Sequence, residues 1–146
     1  MAKGIVSREK KVNEEIKSMG RIITEVSISN ALEPKHHFTC DVLIDTGTSS
    51  LVLPKSWKSK LGQLSSSRTV SMETADQRVI MGEVCGPVQI QIKGFDPVYN
   101  EVTFIDMEPS EGRYEPLLGY IILEQSRAAI DMSSHLLTHV KYMDLK

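Results

Sequence analysis

Apolar and polar residues alternate along most of this chain, and the alternation predicts strands. The strictest case is Val88, Ile90 and Ile92 against Gln89, Gln91 and Lys93, the pattern of a strand with one buried face. From Arg21 the same period sets Ile22, Val26 and Ile28 on one side, with Glu25, Ser27 and Ser29 mostly on the other. Asn30 to His37, with Pro34, reads as a loop, and Phe38 to Ile44 as the next strand. Leu51-Val52-Leu53 is a short buried strand. Pro54 then suits the first turn of a helix that runs to about Leu61 and stops at Gly62. Trp57 and Leu61 share a face of that helix, and Trp57 reads as a core or rim anchor.

After a loop at Ser65–Ser67, Arg68–Thr74 and Val79–Val84 bracket the polar tip Ala75-Asp76-Gln77-Arg78, a hairpin pattern. Gly86-Pro87 predicts a turn, and Gly94–Pro97 another before a strand over Val98–Met107. A polar loop, Glu108–Glu115, leads through Pro116 to Leu117-Leu118-Gly119 and a helix-like Tyr120–Gln125. Arg127–Asp131 and Leu136–Tyr142 close the chain as two strands. This many short strands with few helices predicts an all-β fold, a small closed β-barrel with one or two short helices.

Composition narrows the function classes. At 146 residues the chain suits one domain with a real core. A net charge of −2 argues against nucleic-acid binding by bulk electrostatics. No apolar stretch is long enough for a membrane span and no signal-like segment opens the chain, which predicts no membrane association and a cytoplasmic location. Cys40 and Cys85 lack metal-site spacing and read as reduced, buried thiols, and the four histidines form no metal-binding array. No metal or organic cofactor is implied. Residues 1–19 differ from the rest: five basic and three acidic side chains precede Met19, and Val12 and Ile16 give a weak helical period. They read as an N-terminal extension, helical in tendency, ahead of a domain over 20–146.

One stretch carries chemistry. An apolar run, Val42-Leu43-Ile44, delivers Asp45-Thr46-Gly47-Thr48-Ser49-Ser50, and a second apolar run follows. A carboxylate at the mouth of a buried strand is costly unless its surroundings hold it. Gly47 allows a close turn that aims backbone N–H groups back at the acid. Asp-x-Gly is also ordinary turn chemistry, but ordinary surface turns seldom lie between two such apolar runs.

Ile44-Asp45-Thr46-Gly47-Thr48-Ser49 resembles the active-site motif of aspartic proteases. Leu117-Leu118-Gly119 resembles the second signature of that group, and Met72–Val79 its flap hairpin. In order and spacing the chain is similar to the retropepsin-like family, single-domain prokaryotic type, from about Gly20 to Tyr142. The resemblance implies the retropepsin-like barrel with one lobe per chain, and an aspartic endopeptidase in which water is activated by two Asp45 carboxylates. The chain has one Asp-Thr-Gly, so the second carboxylate must come from a second copy in a homodimer. It also implies catalytic roles for Asp45, Thr46 and Gly47, with the Thr46 hydroxyl bonding across the dimer axis. Thr48, Thr74, Ala75, Asp76 and Leu118 are its substrate-site residues, for a peptide or protein bound as an extended strand. Leu117-Leu118-Gly119 would pack under the loop, and residues 1–19 would be removable by self-cleavage. Two features depart from the viral pattern: Thr48 stands where Ala is usual, and the tip lacks the viral glycines. The same residues also fit a dimeric β-barrel that binds extended peptides without cutting them.

Overall fold

A computed structural model of the protein describes residues 21–74 and 76–140. The expected N-terminal helix, Ala75 and the end of the last predicted strand lie outside the described residues. Among the described residues nine strands form: β1 (Ile23–Asn30), β2 (His37–Ile44), β3 (Leu51–Pro54), β4 (Ser66–Glu73), β5 (Val79–Ile92), β6 (Val98–Ile105), β7 (Leu117–Leu118), β8 (Ala128–Asp131) and β9 (Leu136–His139). A 3-10 helix, Lys55–Leu61, follows β3, and an α-helix, α1 (Tyr120–Gln125), follows β7.

Seven strands make one sheet in the order β1-β2-β7-β3-β6-β5-β4, and β5 pairs with β1 as well, so the ladder returns on itself. This is the all-β architecture predicted. β8 and β9 form a separate two-stranded sheet. The alternation found in the sequence points inward as expected: Val26 and Ile28 of β1, and Val88, Ile90 and Ile92 of β5, are fully buried. They meet Val42, Leu51, Leu53, Leu61, Val102, Phe104, Leu118 and Ile122 in one core. Each such side chain contributes about 1.5–3 kcal/mol by leaving water. β3 is buried along its whole length because it has a partner on both edges, β6 parallel and β7 antiparallel. No helix among the described residues is long and apolar enough to cross a membrane.

Three elements differ from expectation. Gly86-Pro87 does not turn the chain; β5 runs through it as one 14-residue strand. A register shift between Cys85 and Val88 accommodates Pro87, which has no N–H to give a ladder. There β5 changes its outer partner from β4 to β1. Pro54 ends β3 in an extended conformation (φ −61°, ψ 136°) and caps the following helix, which is 3-10 and not α. Trp57 is a rim anchor, in line with expectation, meeting Phe38 and Tyr114 edge-on at 5.6 and 5.9 Å.

Asn30 lies within β1 and not in the loop. Only 1% exposed, it is satisfied through its side chain. Its Nδ2 donates to the carbonyls of Leu61 (2.9 Å) and Gln63 (3.0 Å), and its Oδ1 accepts from the N–H groups of Leu32 (3.0 Å) and Glu33 (3.2 Å). One amide thus ties the β1–β2 connection to the end of the 3-10 helix.

Candidate active site

The apolar end of β2 fixes where Asp45 stands. Ile44 N–H bonds the Ile22 carbonyl at 2.8 Å and Asp45 N–H bonds the Leu118 carbonyl at 3.0 Å. The chain then turns at once, with Thr48 N–H on the Asp45 carbonyl at 3.1 Å. That turn points backbone and hydroxyl donors at the side chain. Gly47 N–H donates to Asp45 Oδ1 at 3.0 Å, and Thr48 Oγ1 donates to Oδ2 at 3.3 Å. Both carboxylate oxygens therefore have a partner within their own loop, while Asp45 stays half-buried and reachable from solvent.

The loop is held from beneath. β7 lies between β2 and β3, so Leu118 pairs with Ile44 on one side and with Leu51 on the other. Just beyond it, Gly119 N–H bonds the Ser50 carbonyl (2.9 Å), Tyr120 N–H that of Thr48 (2.9 Å) and Ile121 N–H that of Ser49 (3.1 Å). Such closeness requires glycine at 119: a Cβ there would lie 2.4 Å from Thr48 O and Ser49 C. Ser50 adds a hydroxyl contact to Thr103 of β6 at 3.0 Å.

The expected site residues divide into three groups. Asp45, Gly47 and Thr48 form one hydrogen-bonded unit, and Thr46 is exposed beside them. Leu118, also expected at the substrate site, is fully buried in β7 beneath the loop. Thr74 and Asp76 belong to the hairpin tip and bond within it. Thr74 N–H meets the Arg78 carbonyl at 2.8 Å, the Thr74 hydroxyl reaches Asp76, and Asp76 pairs with Arg78 at 3.2 Å.

The root of this hairpin is tied sideways. Glu83 of β5 bonds Lys58 of the 3-10 helix and Ser67 of β4. The Lys58 bond, then Ser67, holds the Glu83 carboxyl down at about 2.

Two cavities border these elements. One of about 280 Å³ lies beside β2, lined by Arg21, Ile23, Leu43, Arg113, Tyr114 and Glu115 among others. The other, about 330 Å³, runs from Ser49 and Ser50 to Val70 and Met72 of the hairpin. Sequence reasoning passed over the second cavity. Its signal was nevertheless present, since Val70 and Met72 alternate on the face of β4 that also leads to Thr74.

Comparison with known proteins then decides the family. The aspartyl protease family model matches residues 25–121, about two thirds of the chain, and that span holds the Asp45 loop, the hairpin and β7. The chain belongs to the aspartyl protease family. The fold is shared with a solved structure, the EIAV protease complexed with the inhibitor HBY-793. The two chains are 21% identical, the match covers 72% of this chain and 86% of the viral one, and the TM-score is 0.53, which shows a shared fold. No curated protein matches the chain.

Proposed function

We propose that this aspartyl protease family member is an aspartic endopeptidase that works as a homodimer, with one Asp45 from each subunit. The observation that carries the reading is the Asp45 carboxylate itself. It is half-buried, held by Gly47 N–H at 3.0 Å and Thr48 Oγ1 at 3.3 Å, on a loop with no slack beneath it. A chain with one such loop supplies one carboxylate, and a two-fold axis beside it supplies the other. Two carboxylates at close range cannot both be charged, so they share one proton. The charged member takes a proton from a water between them, and the water attacks the peptide carbonyl. The protonated member polarises that carbonyl and later supplies a proton to the departing amine.

Each neighbour has a part in this scheme. Gly47 N–H fixes the rotation of the carboxylate, and the exposed Thr46 hydroxyl is available to the partner loop. The peptide lies extended between the Asp45 loops and the hairpins, gaining backbone bonds by strand addition. Thr48, Thr74, Ala75 and Asp76 border it, and the hairpin closes over it and excludes water. The test is cleavage of extended peptides by the wild-type chain and by Asp45→Asn, with circular dichroism to compare folds. Turnover lost with fold and peptide binding kept supports the reading. Turnover that survives Asp45→Asn refutes the assignment, and peptide binding without cleavage by either protein points to the non-cleaving binder.

A further inference from the structure

The cavity that starts at Ser49 and Ser50 has an unusual balance of side chains. Val70, Met72, Val84 and Ile121 give it apolar walls. Most of its polar side chains are engaged already. Ser50 meets Thr103 at 3.0 Å, Asn100 donates to Gln125 at 2.7 Å, and Arg68 pairs with Glu101 at 2.6 Å. Gly82 lets the walls close up behind it: a Cβ there would sit 3.2 Å from Met72 Sδ and from Thr103 Cγ2, tighter than ordinary contact. The Arg68–Glu101 pair is the outermost part, with side chains 60% and 38% exposed.

We propose that this cavity receives one uncharged side chain of the substrate, of about methionine or glutamine size, and that the Arg68–Glu101 pair screens out charge of either sign. The inference rests on the reading of Asp45 as the cleavage centre, since the cavity opens from the end of its loop. About 330 Å³ accommodates a long side chain with space to spare. Methylene groups gain from leaving water against Val70, Met72, Val84 and Ile121. A carboxylate or ammonium gains nothing comparable. It loses hydration, and among the described lining residues its counter-charge is one already neutralised by a partner at 2.6 Å. To hold a guest lysine, Glu101 must leave Arg68; to hold a guest glutamate, Arg68 must leave Glu101.

Breaking the pair from one side should therefore turn the screen into a preference. Arg68→Gln leaves Glu101 unbalanced and favours a lysine guest; Glu101→Gln leaves Arg68 unbalanced and favours a glutamate. For partly exposed charges the expected shift is about fivefold in each direction, fading with added salt.

The experiment uses extended peptides that differ at one position, carrying Met, Gln, Glu or Lys there, with the position moved along the peptide. Binding is read by fluorescence anisotropy on the full chain bearing Asp45→Asn, with and without Arg68→Gln or Glu101→Gln. Cleavage is read as kcat/KM on the matching Asp45 proteins. The expected result is one peptide position where Met and Gln exceed Glu and Lys about tenfold, and where the Glu-to-Lys ratio moves oppositely in the two variants. An unchanged ratio at every position, with cleavage intact, overturns the pocket and spares the protease reading. The expected binding pattern with no cleavage by any Asp45 protein overturns the protease reading and spares the pocket. Neither binding nor cleavage overturns both.

Discussion

Gly119→Ala tests the loop that holds Asp45 more sharply than any change on the loop itself. Gly119 has φ −85° and ψ 174°, extended backbone that alanine adopts freely, so the methyl group acts by space alone. That methyl would stand 2.4 Å from Thr48 O and Ser49 C and 2.6 Å from Ser49 O, where ordinary contact begins near 3.4 Å. All three neighbours are backbone, so no side chain can swing aside. The loop and the start of α1 must part by about 1 Å, which lengthens the bonds from Gly119, Tyr120 and Ile121 to Ser50, Thr48 and Ser49. Overpacking costs about 1–3 kcal/mol, and weakening three hydrogen bonds adds about 1–2 kcal/mol. The sum, about 2–5 kcal/mol, is a large share of a typical domain's stability. A comparable displacement of Asp45 should lower turnover about a hundredfold. Urea denaturation followed by circular dichroism reads the first effect, and peptide cleavage reads the second. Gly94→Ala is the control: its site is open but φ is +89°, so it should cost only about 1–2 kcal/mol and leave turnover unchanged. Wild-type stability and turnover in Gly119→Ala would refute the claim that this contact positions the loop.

Three further outcomes follow from the packing. Asn30→Ala deprives two carbonyls and two N–H groups of their partner at a buried site, and should cost about 3 kcal/mol in the urea midpoint analysis. Glu83, depressed from 4.5 to about 2, adds stability that is complete above 4.5 and drains away as pH falls towards 2. Glu83→Gln should therefore be less stable than wild type at pH 6, with the difference shrinking through that window in pH-dependent unfolding. Burial, then Asp41, pushes the Cys40 thiol up to about 12 against the opposing Lys60, and burial raises Cys85 as well. Maleimide should label both slowly in the native chain at neutral pH and fast in denaturant; rapid native labelling would contradict that burial.

The strands and the Asp45 loop were legible because both depend on local pattern. Two-residue alternation marked the inward faces of β1 and β5, and an acid between apolar runs marked the loop. What was not legible depends on contacts far apart in sequence. Gly86-Pro87 carries strong turn chemistry, yet partners on both sides of β5 keep it a strand across a register shift. Asn30 looks like a loop residue until the carbonyls of Leu61 and Gln63 come within reach of its amide. Leu118 sits in a motif next to the site, but its pairing with both Ile44 and Leu51 buries it. The second cavity gathers Arg68, Asn100 and Ile121 from three separate elements, which no local window unites.

The most direct test of the account is turnover per chain measured across a dilution series, beside sedimentation of the same samples. Asp45→Asn is then titrated into wild type at fixed total concentration. A site shared between two Asp45 residues predicts turnover per chain that falls in step with the dimer fraction. It also predicts that added Asp45→Asn chains suppress activity beyond simple dilution, because mixed dimers carry one carboxylate. Constant turnover per chain under conditions where only monomer sediments would contradict it.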